Sequence, residues 1–207
     1  MRKRAIPVEG AESADASNPA ASLTRGLEIL RCFTANDTTL GNQELLERTG
    51  LPKATVSRLT AALVSLGYLH YDTQLGRYSI GPATVSLGYS ALSSSAVVHM
   101  AGPLMQVLAD RSGVATALGT RDGLEMVYLA NCRSQSPVSL RLNVGSRLPI
   151  WRTAMGLAYL AEMGADIRAD VLNQIAAKEP AQERQIRAAV DDAIESYATR
   201  GFVGTYG

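Results

Sequence analysis

Leu51-Pro52-Lys53-Ala54-Thr55-Val56-Ser57-Arg58-Leu59-Thr60-Ala61-Ala62-Leu63-Val64-Ser65-Leu66-Gly67 is the stretch whose reading decides the fold. Val56, Leu59, Leu63 and Leu66 recur at steps of three, four and three. That is one continuous stripe at about 3.6 residues per turn, so a helix is expected over residues 52–66. Pro52 is expected just inside its start, where a missing N–H costs nothing, and Gly67 ends it. At about 100° per residue, Ala54, Ser57, Arg58 and Ala61 fall opposite the stripe, with Lys53 on the flank. The outward face is small, hydroxylic and basic. Between Glu47 and Asp72 no acid occurs, while Arg48, Lys53 and Arg58 do, in a chain whose net charge is only +1.

Upstream, Thr24 is placed to cap a helix with apolar positions at Leu23, Leu27, Leu30 and Phe33, ended by Asn36-Asp37. A second short helix is expected from about Asn42 with Leu45 and Leu46, and Gly50 permits the positive φ of the turn that follows. Downstream, Leu69 and Tyr71, then Tyr78 and Ile80, alternate as two strands joined through residues 72–76. Helix, helix, glycine turn, helix, hairpin is the order of a winged helix-turn-helix. A major groove about 12 Å wide admits one such helix, and short side chains on its outer face reach base edges. On this reading Ala54 and Ala61 allow close approach and touch thymine methyls, and Arg58 reaches a guanine edge. Thr55 and Ser57 bond bases or phosphates, Lys53 meets phosphate, and Arg77 is the wing's contact with the backbone or minor groove. Tyr68, Tyr71 and Tyr78 are expected to pack the wing onto the helices rather than to stack on bases.

The whole chain has 207 residues, which at roughly 100–200 residues per domain means one large domain or two modest ones. With 46% apolar and 19% charged residues, wholesale disorder and fibrous repetition are disfavoured. No apolar run approaches the roughly 20 residues of a spanning helix. Met1-Arg2-Lys3-Arg4 is followed by Glu9, Glu12 and Asp15 where a secretory signal needs an apolar core, so a cytoplasmic protein without a membrane partner is expected. Cys32 and Cys132 lack the spacing of a disulfide framework or metal site and are expected to be buried thiols. Only His70 and His99 are available as imidazole bases, one on the wing and one in the linker region, and Cys132 has no obvious base. The expectation is therefore no enzyme, no metal and no cofactor.

Residues 1–21, rich in Ala, Ser, Asn and Pro, are expected to form a mobile tail. After the winged domain (22–81), linker helices are expected over 82–112: one through Val85, Leu87, Ala91 and Leu92, a hinge at Ser93-Ser94-Ser95, and a longer one through Leu104, Val107 and Leu108. The pattern then changes to strands at Val114 to Thr120, Glu125 to Cys132 and Val138 to Leu142, the first two joined by an Arg121-Asp122-Gly123 turn. Helices near 153–163, 165–177 and 181–200 precede a strand just begun at Phe202 to Tyr206. Thr153 is a good cap, and the amides of Ala154, Met155 and Gly156 at the following helix start offer an anion site. Leu140, Leu142, Leu148 and Trp151 are its expected apolar walls. Arg141 and Arg147 either neutralise an acidic ligand or are solvated strand-end charges.

Ser22-Leu-Thr-Arg-Gly-Leu-Glu-Ile-Leu, Leu51-Pro-Lys-Ala-Thr-Val-Ser-Arg-Leu, Gly67-Tyr-Leu and Gly76-Arg-Tyr-Ser-Ile-Gly81, in this order, resemble the winged-helix part of the IclR family of bacterial transcriptional regulators. The resemblance continues through Arg147-Leu-Pro and Thr153-Ala-Met-Gly156 to Arg200-Gly-Phe. It implies an α+β chain, a winged helix-turn-helix followed by a GAF-like effector-binding domain with antiparallel sheet and helices. It further implies a homodimer or homotetramer on double-stranded operator DNA, sensing a small-molecule effector, often a carboxylate, that meets the Ala154 and Met155 amides. Two departures stand out. Leu46 occupies a position where the family usually has alanine. The family's effector domain also continues for several more strands, so residues 113–207 are expected to be a partial one, truncated at the C-terminus. The alternative reading is a winged-helix protein-interaction module without sequence-specific DNA binding.

Overall fold

The computed structural model describes residues 19–134 and 142–205, and the chain parts into two compact units, residues 1–91 and 92–207. In the first unit, α1 (Pro19–Arg31), β1 (Leu40–Gly41), α2 (Asn42–Thr49), α3 (Lys53–Ser65), β2 (Leu69–Asp72) and β3 (Arg77–Ile80) lead into α4 (Pro82–Ser93). This is the winged order expected, with one addition. The short β1 pairs with β3, giving an antiparallel sheet of order β1-β3-β2.

Helix α1 begins five residues before Thr24. The Thr24 hydroxyl is therefore inside the helix and donates back to the Ala20 carbonyl at 3.0 Å, which satisfies it without capping anything. Residues 19–21 are helical and Ala21 is buried, whereas the rest of the expected tail lies outside the described residues. The buried face of α1 runs through Ala21 and Ile29, so Leu23 and Leu27 are exposed. Pro52 stands one residue ahead of α3, in extended backbone, and its carbonyl accepts the amides of Thr55 and Val56. Leu66 follows the last turn of α3 and is 65% exposed, leaving the stripe to Val56, Leu59, Leu63 and Val64. Ile29, Leu40, Leu45, Val56, Leu59, Leu69 and Tyr78 make the core, and Leu46 packs half-buried against it. Thr60 is fully buried beside them: its hydroxyl lies 2.9 Å from the Val56 carbonyl, to which it donates, and 3.2 Å from the Tyr78 hydroxyl.

In the second unit, α5 (Ala96–Ser112) is capped by the Ser95 hydroxyl, which accepts from the Val98 amide. It packs along β4 (Thr116–Asp122) and β5 (Glu125–Cys132). β4 starts two residues later than expected, and it runs on to Asp122 because the turn is the tighter Gly123-Leu124 pair, with Gly123 at φ 63°. The third strand is β6 (Arg147–Pro149), giving the order β4-β5-β6. Of the strand expected at 138–142, residues 138–141 lie outside the described residues and Leu142 belongs to no strand. A 3-10 turn (Ile150–Arg152) leads to α6 (Ala154–Glu162), α7 (Ala165–Lys178) and α8 (Glu183–Arg200). Residues 202–205 form no strand, so the one expected there is absent from the described residues.

Leu118 faces Ala130 and Gly119 faces Tyr128, leaving Leu129 as an extra residue on β5. A bulge of this kind reverses side-chain alternation. Met126 thus lies in the core with Ile150, Leu157, Leu160, Ile186 and Val190, whereas Cys132 reaches the Gly102 carbonyl on α5. Both cysteines are free and half-buried rather than fully buried. Among the described residues no single helix is long and apolar enough to cross a membrane.

Candidate nucleic-acid interface and anion site

Helix α3 buries one face and leaves the other in solvent. Lys53, Ala54, Ser57, Arg58 and Ala61 are all exposed and Thr55 is half-exposed, while Val56, Leu59 and Thr60 are buried. Among the described residues neither Lys53 nor Arg58 makes an ion pair or hydrogen bond. Their charges are available to an outside partner.

Two other cations of this unit are not. Arg48 on α2 grips Asp37 in the loop after α1, and Arg77 on β3 turns inward. Its Nε donates to the Thr39 hydroxyl at 2.8 Å, an NH2 donates to the Thr39 carbonyl at 2.9 Å, and the same nitrogen lies 2.7 Å from Glu44 Oε2. Glu44 in turn accepts the Gly41 amide at 2.7 Å, which holds its carboxyl below the usual range, with the Arg77 charge acting in the same direction. These partners lie 33 to 38 positions from Arg77 in sequence. Place on the hairpin alone makes Arg77 a groove contact; its bonds to Thr39 and Glu44 turn it inward. Tyr78 is buried in the core and Tyr71 stacks on it at 4.8 Å between ring centroids.

In the second unit, Thr153 caps α6: it has extended backbone and its hydroxyl accepts the Gly156 amide at 3.0 Å. Gly156 is thereby removed from the expected set of open amides, leaving Ala154 and Met155 at the helix start. The start of α6 is pressed onto the preceding turn, because a Cβ on Gly156 would sit 1.9 Å from the Ile150 carbonyl oxygen. Met155 lies over Gly119 of β4, opposite the β5 bulge, its Sδ 2.3 Å from where a Cβ of Gly119 would be.

The expected walls separate. Leu148 is half-buried on β6 and Leu142 is half-buried in the loop before it, while Leu140 and Arg141 are outside the described residues. Trp151 is buried in the core, donates its indole N–H to Glu179 at 3.2 Å and lies under the Arg152 guanidinium. It lines an open cavity of about 550 Å³ between the 3-10 turn and α8 with Arg152, Leu157 and Ser196; Leu148, Thr153, Ala154 and Met155 do not line it. Arg147 bridges Asp122 and Glu125 at 2.8 and 2.7 Å, so its charge is matched within the protein.

Residues 22–73 match the model of the IclR helix-turn-helix domain, and residues 89–190 that of the bacterial transcriptional regulator IclR C-terminal domain. The HTH-type transcriptional regulator TsaQ1/TsaQ2 of Comamonas testosteroni is 38% identical over 88% of this chain and 66% of its own length. The crystal structure of an IclR family transcriptional regulator from Brucella abortus superposes with a TM-score of 0.79 at 42% identity, covering 92% of this chain and 73% of that one. An IclR homolog of Microbacterium hydrocarbonoxydans, solved in complex with 4-hydroxybenzoate, shares the fold at a TM-score of 0.61 and 23% identity, over 84% and 74% of the two chains. The chain spans about half to two thirds of the length of the curated relatives it matches. Both compact units are thus matched, in order and at these identities, and the chain belongs to the IclR family of transcriptional regulators.

Proposed function

We propose that the protein is a cytoplasmic DNA-binding transcriptional regulator whose hold on an operator is controlled by a small organic acid, and not an enzyme. The observation that carries the DNA reading is the outer face of α3, where Lys53 and Arg58 stand exposed, without a partner among the described residues, beside Ala54, Ser57 and Ala61. Small residues let the backbone approach base edges, and the two cations add the charge that phosphate and guanine demand. Residues 22–81 are the DNA-binding part, 82–112 the connecting helices and 113–207 the sensing part.

For the effector, the open amides of Ala154 and Met155 at the dipole-positive end of α6 support a carboxylate. 4-Hydroxybenzoate, bound by the Microbacterium relative, is a member of that class. For assembly, α4 leaves Val85, Leu87 and Tyr89 exposed and α5 leaves Val97, Met100 and Leu104 exposed. Apolar surface on that scale supports a second copy of the chain as partner. An effector that binds one arrangement of two copies better than another shifts operator affinity through the 82–112 helices.

Fluorescence anisotropy with duplex DNA over a series of salt concentrations tests the main reading. Binding whose logarithm falls linearly with the logarithm of salt supports it; binding only to other proteins, with no duplex retained at low salt, replaces it with the interaction-module reading. A thermal-shift screen of organic acids, 4-hydroxybenzoate among them, tests the effector.

A further inference from the structure

We propose that the wing meets the DNA minor groove with an apolar tip, Leu75, and that the hairpin's one arginine serves inside the protein as a brace. This rests on the duplex-binding reading above. The hairpin of residues 69–80 carries two basic side chains, His70 and Arg77. Arg77 is held by the Thr39 hydroxyl, the Thr39 carbonyl and the Glu44 carboxylate, and pairs through its backbone with Gly41. Turning the whole guanidinium outward would break three bonds that tie the wing to Thr39 and to Glu44 on α2. The wing is therefore tied to the helix-turn-helix, and the charge of its one arginine is already matched by Glu44.

What the tip offers instead is Leu75, 65% exposed. Its loop is rigid for a stated reason. Asp72 Oδ1 accepts the amides of Gln74 and Leu75 at 2.8 and 3.0 Å, the Asp72 carbonyl accepts the Gly76 amide at 2.8 Å, and Gly76 takes φ 64°, a conformation glycine adopts without strain. Those amides hold the Asp72 carboxyl below its usual range, so the one acid of the turn is spoken for by the turn itself. Leucine is one of the apolar side chains that minor-groove binders insert between base steps. Insertion costs little conformational entropy when the loop is already ordered.

The experiment uses the full chain and a short duplex that the wild-type chain selects from a random-sequence pool. Leu75→Ala is expected to weaken binding about tenfold while leaving the salt dependence unchanged, since no cation is lost. Leu75→Gln, similar in length but polar, is expected to fail in the same way. With 2-aminopurine at A·T steps of the selected site, the wild-type chain brightens one step and Leu75→Ala does not. Arg77→Gln is expected to keep the wild-type salt slope. Wild-type affinity and brightening in Leu75→Ala overturn the wedge. A slope reduced by about 0.9 in Arg77→Gln shows that Arg77 meets a phosphate and overturns the brace. Loss of self-association without DNA in Leu75→Ala assigns the tip to a second copy and also overturns the proposal. If no duplex is selected at all, the duplex reading falls and the wedge with it, an outcome distinct from selection followed by an indifferent Leu75→Ala.

Discussion

Arg48 grips Asp37 with two nitrogens, NH1 to Oδ2 at 2.7 Å and NH2 to Oδ1 at 2.8 Å, while NH1 also donates to the Cys32 carbonyl at 2.7 Å. This clamp joins α2 to the loop that follows α1. The Arg48 bond first, and then the Thr34 hydroxyl and amide, hold the Asp37 carboxyl well below its ordinary 3.8. A value lower in the folded than in the unfolded chain contributes stability that is complete above the unfolded value and is lost as pH falls through the folded one. Glu44, lowered chiefly by the Gly41 amide, acts with the same sign. The wild-type melting temperature is therefore expected to fall below about pH 4, and Asp37→Asn to be less stable at neutral pH with a flatter acid limb. Parallel acid limbs in circular-dichroism melts of the two proteins would exclude the linkage.

The three cations Arg48, Lys53 and Arg58 are expected to divide into two classes. Arg58→Ala weakens binding to a selected duplex by about 1–3 kcal/mol and relaxes preference at one base pair. Lys53→Ala weakens all duplexes alike and lowers the salt slope by about 0.9. Arg48→Gln, whose charge is already matched by Asp37, leaves the slope where it was. Anisotropy titrations at several salt concentrations separate the classes; an equal slope change for Arg48 and Lys53 would refute the division.

Thr60→Val removes a fully buried hydroxyl from the first unit's core while keeping the side chain's shape. The Tyr78 hydroxyl then loses its buried partner, and a cost of about 1–3 kcal/mol is expected. Urea denaturation measures it. The companion Tyr78→Phe in the Thr60→Val background should recover part of the loss, because both partners are then apolar; an additive double mutant contradicts the pairing.

Gly156→Ala places a methyl against the Ile150 carbonyl, backbone that cannot yield like a side chain. A loss of about 1–3 kcal/mol or more is expected. Gly164→Ala, with nothing near the new methyl and an ordinary φ, serves as the control and should be neutral. Equal melting temperatures for the two variants would mean the start of α6 is free to shift.

Much of the architecture was legible in sequence because its signals are local: the α3 stripe, the Gly50 turn, the alternation of 69–71 against 78–80 and the Thr153 cap all act within a few residues. What was missed depends on distant partners. β1 is two residues long and exists only because β3 lies beside it. Leucines at 23 and 27 share a helical face, yet the core lies on the side of Ile29. Thr60 reads as surface until Tyr78 is folded against it. The same holds for the site. The exposure of Ser57 and Arg58 follows from the stripe opposite them, whereas the matching of Arg77 by Glu44, and of Arg147 by Asp122 and Glu125, requires chain brought together from elsewhere. Trp151 is near the α6 start in sequence, but its ring lines the cavity against α8.

The inward matching of Arg48 and Arg77 also carries an expectation for how a DNA-binding chain of this kind moves over a genome. Nonspecific residence grows with every cation offered to the phosphate chain. On the DNA-binding reading proposed above, with both guanidiniums matched inside the fold, each copy is expected to linger only briefly on arbitrary sequence and return to solution. Search is then expected to proceed by many short collisions more than by long sliding, with occupancy decided by the match between bases and reading helix.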